Sequence, residues 1–343
     1  MNYVNGQEVE PTSGYKPLGG SKALKAGYLK RPNRHPHPLG RGFLGRLSIK
    51  NIIKQALKED IGRADITTRA AIAGNIKAEA VIIANEKGII CGMDIVRLVF
   101  KMFDQRINFK PLVKDGDIIN KGKALAKLYG FASSILSSER VALNFLGLLS
   151  GIATRTKEFA KRARPYKIKI LDTRKTLPLL RKLEKYAVKV GGGVNHRLRL
   201  DEMVLIKENH LQVAGLRDIR EMIKKLRKKI RKNIKIEVEV RNLKEFKAAL
   251  EAKPDIIMLD NMKADAIRKA VKLRNRLQPK TYNLTPRLEA SGNISLKNIA
   301  VYAATGVDFI SLGTLTKDID SLDVSLDLIG KDKSEVKRNE KNH

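Results

Sequence analysis

Residues Ile234–Asp260 read IKIEVEVRNLKEFKAALEAKPDIIMLD. A run rich in β-branched residues, Ile234–Val240, gives way to a helical pattern over Leu243–Glu251 and then to a second apolar run, Asp255–Leu259. Strand, helix and strand in that order form the repeating unit of a parallel sheet. The same alternation extends in both directions. Further strand-like runs fall at Lys167–Leu171, Met203–Ile206, Arg287–Ala290 and Asp308–Leu312, with helical stretches at Lys263–Leu277 and Leu296–Thr305. A parallel α/β array is either a barrel or doubly wound. No GxGxxG or Walker A phosphate loop accompanies these strands, which removes the support for a dinucleotide-binding sheet. A barrel is expected.

Active sites of such barrels lie at the C-terminal ends of the strands. Those ends carry Asp172-Thr173-Arg174-Lys175-Thr176, Lys207-Glu208-Asn209-His210, Asp260-Asn261, Ser291-Gly292-Asn293 and Gly313-Thr314. Glu237 and Glu239 lie two apart on one strand, so both point to one face, with Lys207 as a natural counter-charge. Two inward carboxylates are costly unless paired, and such clusters mark sites. The run Gly191-Gly192-Gly193-Val194-Asn195-His196-Arg197 suggests close backbone approach to a ligand. Arg174, Lys175, His196, Arg197 and Lys207 offer five potentially cationic groups on one rim, suited to carboxylates and phosphates. Glu239 and Asp260 are of a type that holds Mg²⁺ or ribose hydroxyls. No Cys/His spacing points to zinc.

Composition narrows the function classes. The 343 residues carry 69 Lys+Arg against 36 Asp+Glu, a net charge of +33. The basic residues are spread along the chain, and aromatics are only 5%, so a nucleic-acid interface is not favoured. In Gly215–Asn233 the apolar residues Leu216, Ile219, Met222, Ile223, Leu226 and Ile230 take one helical face, and the cations read as its solvated side. A single cysteine, Cys91, excludes an intrachain disulfide and fits a reducing cytoplasm. The longest mainly apolar stretch, Val141–Thr154, is too short to span a bilayer.

Residues 1–47 hold Pro11, Pro17, Pro32, Pro36 and Pro38 and read as a flexible basic arm, with His35/His37 solvated. Order is expected from Ser48, an N-cap for an amphipathic helix built on Ile49, Ile52, Ile53, Ala56 and Leu57. Glu59–Thr68 reads as a loop. Strand-like runs at Lys77–Ala84, Gly88–Cys91, Ile107–Val113 and Lys123–Tyr129, a helix over Asp94–Phe103 and another over Ser134–Leu149 complete an N-terminal α+β module over 48–155. The barrel takes 156–316. The segment 317–343 is expected to return in part to the N-terminal module before a disordered tail.

The run LDTRKTLPLLRKLEKYAVKVGGGVNHRLRLDEMVLIKENHL (Leu171–Leu211) strongly resembles the quinolinate phosphoribosyltransferase family. So do SERVALNFLGLLSGIAT, IEVEV, IIMLDN, LEASGNI and GVDFISLGTLT, and EDIGRADITT and GIICGMD match the family's N-terminal module. The likeness covers about Ser48–Asp327. It implies an incomplete, seven-stranded α/β barrel plus an N-terminal α+β sandwich, in a homodimer with shared active sites. The implied reaction joins quinolinate to 5-phosphoribosyl-1-pyrophosphate with Mg²⁺, giving nicotinate mononucleotide, pyrophosphate and CO₂ in de novo NAD biosynthesis. By motif, Arg140 would reach the quinolinate carboxylates from the partner subunit, with Thr173, Arg174, His196 and Arg197 in the same pocket. Lys175 and Lys207 would face phosphate, pyrophosphate and substrate; Lys207, Glu239 and Asp260 would carry the chemistry, with Mg²⁺ on Glu239 and Asp260. The backbone at Ser291, Gly292, Asn293, Ser311 and Gly313 would take the 5-phosphate. Two positions depart from the family, Leu179-Leu180 where a glycine often follows Pro178 and Leu198-Arg199 in place of a commoner smaller pair, and the stretch Leu277–Arg287 is lengthened. Three alternatives remain at this level: a molybdenum-transport-associated homologue of the same fold, a nicotinate phosphoribosyltransferase, which would need fewer arginines, and a nucleic-acid binder using the arm.

Overall fold

The computed structural model describes residues 3–4, 7–8, 48–216, 218–277 and 286–329. In a first unit, β1 (Tyr3–Val4) pairs antiparallel with β2 (Gln7–Glu8). The rest of the expected arm with its His35/His37 pair, most of the 277–287 stretch and the tail beyond 329 lie outside the described residues.

The second unit opens at the expected cap. The Ser48 hydroxyl accepts the Asn51 N–H at 3.2 Å and starts α1 (Ile49–Ile61), which buries Ile49, Ile53 and Leu57. The Glu59–Thr68 stretch is more ordered than the loop expected. Asp65 accepts the Thr68 N–H at 3.0 Å, and that cap starts α2 (Ile66–Ala71). Then come β3 (Lys77–Ala84), β4 (Gly88–Ile89), α3 (Met93–Phe103), β5 (Asn108–Pro111), β6 (Ile118–Ile119) and β7 (Ala124–Phe131). Strands β3, β7 and β5 form an antiparallel sheet, and Val324–Ile329 from the far end of the chain adds the fourth strand beside β3.

Helix α4 (Ala132–Ala163) runs well past the Ser134–Leu149 that the apolar spacing predicts, and through the expected boundary at 155. The extension follows a buried face that continues through Ile152, Ala153, Thr156, Phe159 and Ala163. A Cβ at Gly151 would lie 2.1 Å from the Asp320 carbonyl oxygen, and one at Gly147 2.9 Å from that of Leu322. Those glycines let residues 320–322 cross the helix on the way back to the N-terminal sheet. By length and composition α4 is apolar enough to cross a membrane, but 67% of its apolar window is buried inside the protein. It is the core helix that both modules share.

The barrel follows: β8 (Lys169–Leu171), α5 (Arg181–Val190), β9 (Val204–Ile206), α6 (Glu208–Val213), α7 (Ile219–Lys229), β10 (Ile236–Val240), α8 (Leu243–Ala252), β11 (Ile256–Asp260), α9 (Ala264–Leu277), β12 (Arg287–Ser291), α10 (Ile299–Ala303), β13 (Phe309–Ser311) and α11 (Thr314–Lys317), after which β14 (Val324–Ile329) is the strand that returns to the N-terminal sheet. Strands β8 to β13 are all parallel, in the spatial order β8-β13-β12-β11-β10-β9. Among the described residues the wall therefore has six strands rather than the seven expected. The missing strand is reduced to one parallel bridge, Leu171 with Val194, in which the Val194 N–H donates to Ile170 at 2.8 Å. On α7 the apolar residues Ile219, Met222 and Ile223 are buried. Its Arg220 and Arg227 pair with Asp218, Glu251 and Asp255, so the basic face is a solvated, partly neutralised surface.

The departure at Leu179 has a backbone meaning. The Leu180 N–H donates to the Leu177 carbonyl, Pro178 takes the second position of that turn, and Leu179 takes the third with φ +66°. A turn with proline second and a left-handed third residue favours glycine there. Leu179 is also 66% exposed, so its side chain gains little from packing. Leu179→Gly should raise stability by up to about 1 kcal/mol, since relief of the left-handed backbone outweighs the added freedom of the unfolded chain. Denaturant unfolding reads this directly; a loss of stability would show that the leucine is favoured in place.

Candidate active site

Alternate residues of a barrel strand face inward, and here they are polar towards the C-terminal end. Glu237 and Glu239 of β10, Met258 and Asp260 of β11, and Glu289 and Ser291 of β12 follow that period of two. In register, Glu239 lies beside Met258, Met258 beside Glu289, Asp260 beside Ser291, and Ser291 beside Ser311. All of these but Glu237 line a cavity of about 490 Å³, within the range of small-molecule sites. Of the residues singled out in the sequence, Thr173, Arg174, Lys175, His196, Arg197, Lys207, Glu239, Asp260, Ser291 and Ser311 line it. Gly292 and Asn293 continue the turn from Ser291, and the aliphatic stem of Lys175 crosses Gly313, with Cδ 3.0 Å from where a Cβ would stand. Arg140 is apart from the cavity, exposed on α4.

Two layers of charge differ in kind. At the rim, Lys207 Nζ lies 2.5 Å from Glu239 Oε2, with the lysine side chain 47% exposed and the glutamate 10%. The Lys207–Glu239 pairing expected for the cluster therefore holds for one of the two glutamates only. Glu237 lies deeper and meets His196, whose Nε2 is 2.8 Å from Glu237 Oε2 and 3.8 Å from Glu289 Oε2. His196 Nδ1 accepts the Arg197 N–H at 2.8 Å. With Nδ1 committed as an acceptor, the ring proton sits on Nε2 and is donated to Glu237. Burial also holds the imidazole below its ordinary value, with the neighbouring Lys185 and Arg197 charges adding to the effect. His196 is therefore a neutral donor, not one of the rim cations the sequence suggests. Burial drives Glu289 upward, and Glu237 beside it raises it further; burial likewise raises Glu237. Three buried oxygens, Glu237 Oε1 and both of Glu289, have no hydrogen-bond partner among the described residues. The floor is a pair of carboxyl groups that resists full ionisation.

The polar ends of β11 and β12 are locked together. Asn261 (φ +54°), Gly292 (φ +91°) and Asn293 (φ +52°) all have left-handed backbones, and a Cβ at Gly292 would meet Asn261 Oδ1 at 2.2 Å. Asn293 Nδ2 donates to that same oxygen at 3.1 Å, and the Asn261 N–H donates to the Ser291 carbonyl at 2.8 Å. A tight turn of this kind is a type of backbone that can present N–H groups to an anion. The glycine run at 191–193 does something else. A Cβ at Gly191 would lie 2.4 Å from the Ala153 carbonyl, and one at Gly193 2.7 Å from Val188 Cγ1, so these glycines seat α5 against α4 and do not line the cavity.

Sequence reasoning left four residues without a role. Glu289 stands inside the quoted LEASGNI, and its mid-strand charge between Leu288 and Ala290 is the signal that could have found it. Asp172, fully buried, accepts hydrogen bonds from Lys185 Nζ and from the His196 N–H, the latter at 2.8 Å. Glu184, fully buried on α5, accepts the Leu177 N–H at 3.1 Å and braces the loop after β8. For Lys185 and Glu184 the sequence shows only ordinary charges in a helix.

Family models describe the two modules. The model for the quinolinate phosphoribosyl transferase C-terminal domain matches residues 152–327, and that for the N-terminal domain matches 65–150. The chain is 44% identical over 280 residues to a probable nicotinate-nucleotide pyrophosphorylase [carboxylating] of Methanocaldococcus jannaschii, covering 81% of this chain and 96% of that protein. A probable nicotinate-nucleotide pyrophosphorylase [carboxylating] of Bacillus subtilis is 40% identical over 288 residues, covering 83% and 95%. Among solved structures, the nicotinate-nucleotide pyrophosphorylase from Francisella tularensis superposes with a TM-score of 0.76 at 40% identity, covering 82% of this chain and 96% of that one.

The buried Glu184 gives a pH test of the loop that carries Arg174 and Lys175. Burial pushes its carboxyl up to about 7, against 4.5 for a free glutamate. Between those values the folded protein holds a proton that the unfolded chain releases. The associated stability is full below pH 4.5 and is lost as pH rises through 7. Glu184→Gln keeps the acceptor for the Leu177 N–H and should flatten this slope. It should stabilise the protein at pH 8 by roughly 1–3 kcal/mol. Unfolding curves across pH 4.5–8 with unchanged slope would place the ionised carboxylate in a solvated setting instead.

Proposed function

The chain belongs to the quinolinate phosphoribosyltransferase family, and from that premise we propose how its barrel rim carries the family's reaction. The enzyme transfers the phosphoribosyl group of 5-phosphoribosyl-1-pyrophosphate to quinolinate with loss of CO₂, forming nicotinate mononucleotide and pyrophosphate for NAD biosynthesis. The similar proteins do not favour the molybdenum-transport alternative. The observation that carries the site assignment is the single cavity in which Arg174, Arg197, Lys207, Glu239, Asp260 and Ser291 meet.

Arg174 and Arg197 are the acceptor ligands. The Arg174 side chain lines the cavity with no carboxylate partner among the described residues, and the Arg197 guanidinium is anchored on the Met203 carbonyl at 2.8 Å. Planar guanidinium groups match planar carboxylates. Exposed Arg140 completes the dicarboxylate pocket as the partner subunit's Arg140 in a homodimer. The 5-phosphate takes the backbone turn at Ser291–Asn293, with Ser311 and Gly313 beside it. Glu239 and Asp260, on neighbouring strands and both facing the cavity, provide the hard oxygen donors that Mg²⁺ takes alongside substrate phosphates. That donor set fits the ion, which when bound would neutralise pyrophosphate charge.

The pyridine nitrogen attacks C1 of the ribose as the bond from C1 to the pyrophosphate oxygen breaks, and pyrophosphate leaves with the electron pair. Positive charge developing on the ribose is met by the fixed carboxylates of Glu239 and Asp260, a preorganised electrostatic stabilisation. The bond from C2 to its carboxylate then breaks, CO₂ departs, and the electron pair stays on C2 beside the pyridinium. The arginines bound to that carboxylate release it into the cavity, where Leu205 and Met258 add apolar surface to the polar lining. Lys207, held by Glu239, donates the proton that C2 takes up. The wider reading is of a cytoplasmic, Mg²⁺-dependent homodimer, supported by the single buried Cys91 and by the exposure of Arg140 away from its own cavity.

Turnover with quinolinate, with nicotinate run in parallel, tests the reading: nicotinate mononucleotide should form from quinolinate alone, and turnover of nicotinate at a similar rate would contradict the dicarboxylate pocket. Lys207→Ala should lower kcat by 100-fold or more, the scale of one electrostatic catalytic group (~10²–10³). A rise in KM alone would make Lys207 a uniform binding residue. Arg140→Ala should be inactive yet regain part of its activity when mixed with Lys207→Ala, because a shared site leaves one intact cavity per mixed dimer. No recovery on mixing would place Arg140 outside a shared site.

A further inference from the structure

Beyond Val194 the segment that carries His196 and Arg197 has no ladder to hold it. Its peptide groups are taken by side chains instead. The His196 N–H donates to Asp172 Oδ1 at 2.8 Å, and the His196 carbonyl accepts from Lys185 Nζ at 3.0 Å. Lys185 Nζ and Asp172 Oδ1 are themselves an ion pair, with side chains 2% and 0% exposed. One turn earlier on α5, Arg181 repeats the arrangement. Its guanidinium donates to Thr176 Oγ1 at 2.9 Å and to the Arg174 carbonyl at 3.5 Å on one loop, and to the Leu198 carbonyl at 3.2 Å on the other. Residues four apart lie on the same helix face, so α5 presents two cations in line, each tied to the loop of Arg174 and to the loop of Arg197.

Those two loops need restraint. Arg174 and Arg197 face one cavity and repel each other, and neither guanidinium has a carboxylate ion-pair partner among the described residues. Binding a rigid dicarboxylate rewards one spacing of the two arginines, and a displacement of about 1 Å can cost two orders of magnitude. A buried ion pair is a costly way to gain stability alone, since desolvation offsets its attraction. Its distinctive contribution here is geometric.

We infer that Asp172 and Lys185, seconded by Arg181, are positioning residues that set the separation of Arg174 and Arg197 and thereby the enzyme's selectivity for a dicarboxylate acceptor. They touch no substrate. They act through the His196 peptide and the two loop backbones, and they replace the seventh strand's ladder with side-chain donors and an acceptor. This rests on the assignment of Arg174 and Arg197 as acceptor ligands.

The test is the pair Lys185→Met and Asp172→Asn/Lys185→Met, each assayed for melting temperature, calorimetric binding of quinolinate, and KM for both substrates. Lys185→Met alone leaves a buried, unpaired carboxylate and should melt well below wild type. The double variant removes both charges and should recover much of that melting temperature. Its affinity for quinolinate should still be reduced roughly tenfold or more, with the KM for 5-phosphoribosyl-1-pyrophosphate within about threefold of wild type and the preference for quinolinate over nicotinate diminished. Return of quinolinate affinity along with melting temperature in the double variant would make the pair purely structural and overturn the inference, as would equal loss for both substrates. A wild-type protein that binds no quinolinate would overturn the assignment of the arginines itself, an outcome distinct from either of these.

Discussion

The Asp172 carboxylate, fully buried, collects a lysine ammonium and a backbone N–H from a segment that the sheet does not otherwise hold. A peptide group removed from water without a partner costs on the order of 1–3 kcal/mol, and a barrel that lacks one strand's ladder leaves several such groups to satisfy. Here α5 meets that need from the side. Lys185, Arg181 and Glu184 all project from its first half to backbone groups of the neighbouring loops. The glycines at 191 and 193 let the end of α5 sit hard against α4, so the helix that braces the rim is fixed to the core helix of the whole unit.

From that arrangement follows the division of charge in the barrel. Low-dielectric surroundings strengthen interactions between fixed charges and penalise unpaired ones. The rim solves this with cations that await anionic ligands, and with Lys207 held by Glu239. The floor solves it differently: Glu237 and Glu289 are pushed towards the neutral form by burial, and a neutral His196 is hydrogen-bonded to Glu237. The electrostatic gradient runs from partly neutral floor to positive rim. Such a gradient suits the proposed placement of carboxylate and phosphate groups at the mouth.

Much of this was legible in the chain. The βαβ unit at Ile234–Asp260, the period-two placement of Glu237 and Glu239, and the polar strand ends at Asp260, Ser291 and Ser311 all depend on local pattern, and local pattern survives folding. The sequence was less informative where the cause is distant. Residues 320–322 cross helix α4 at Gly147 and Gly151, a contact between remote parts of the chain that local pattern does not reveal. Where the seventh strand is reduced to a bridge, Asp172 and the α5 side chain of Lys185 hold the His196 peptide, contacts between residues distant in sequence. His196 reads as a cation in isolation and becomes a neutral donor only when the Arg197 N–H claims Nδ1. Leu179 shows the reverse case: a local rule for turns is broken, and the backbone angle records it.

The most direct measurement is a crystal structure of the enzyme with quinolinate and a non-reacting analogue of 5-phosphoribosyl-1-pyrophosphate. Both carboxylates should lie within hydrogen-bonding distance of the Arg174 and Arg197 guanidinium groups, with the 5-phosphate on the Ser291–Asn293 backbone and the pyrophosphate towards Lys207, Glu239 and Asp260. Quinolinate seated elsewhere, or turned so that a single arginine holds it, would contradict the account.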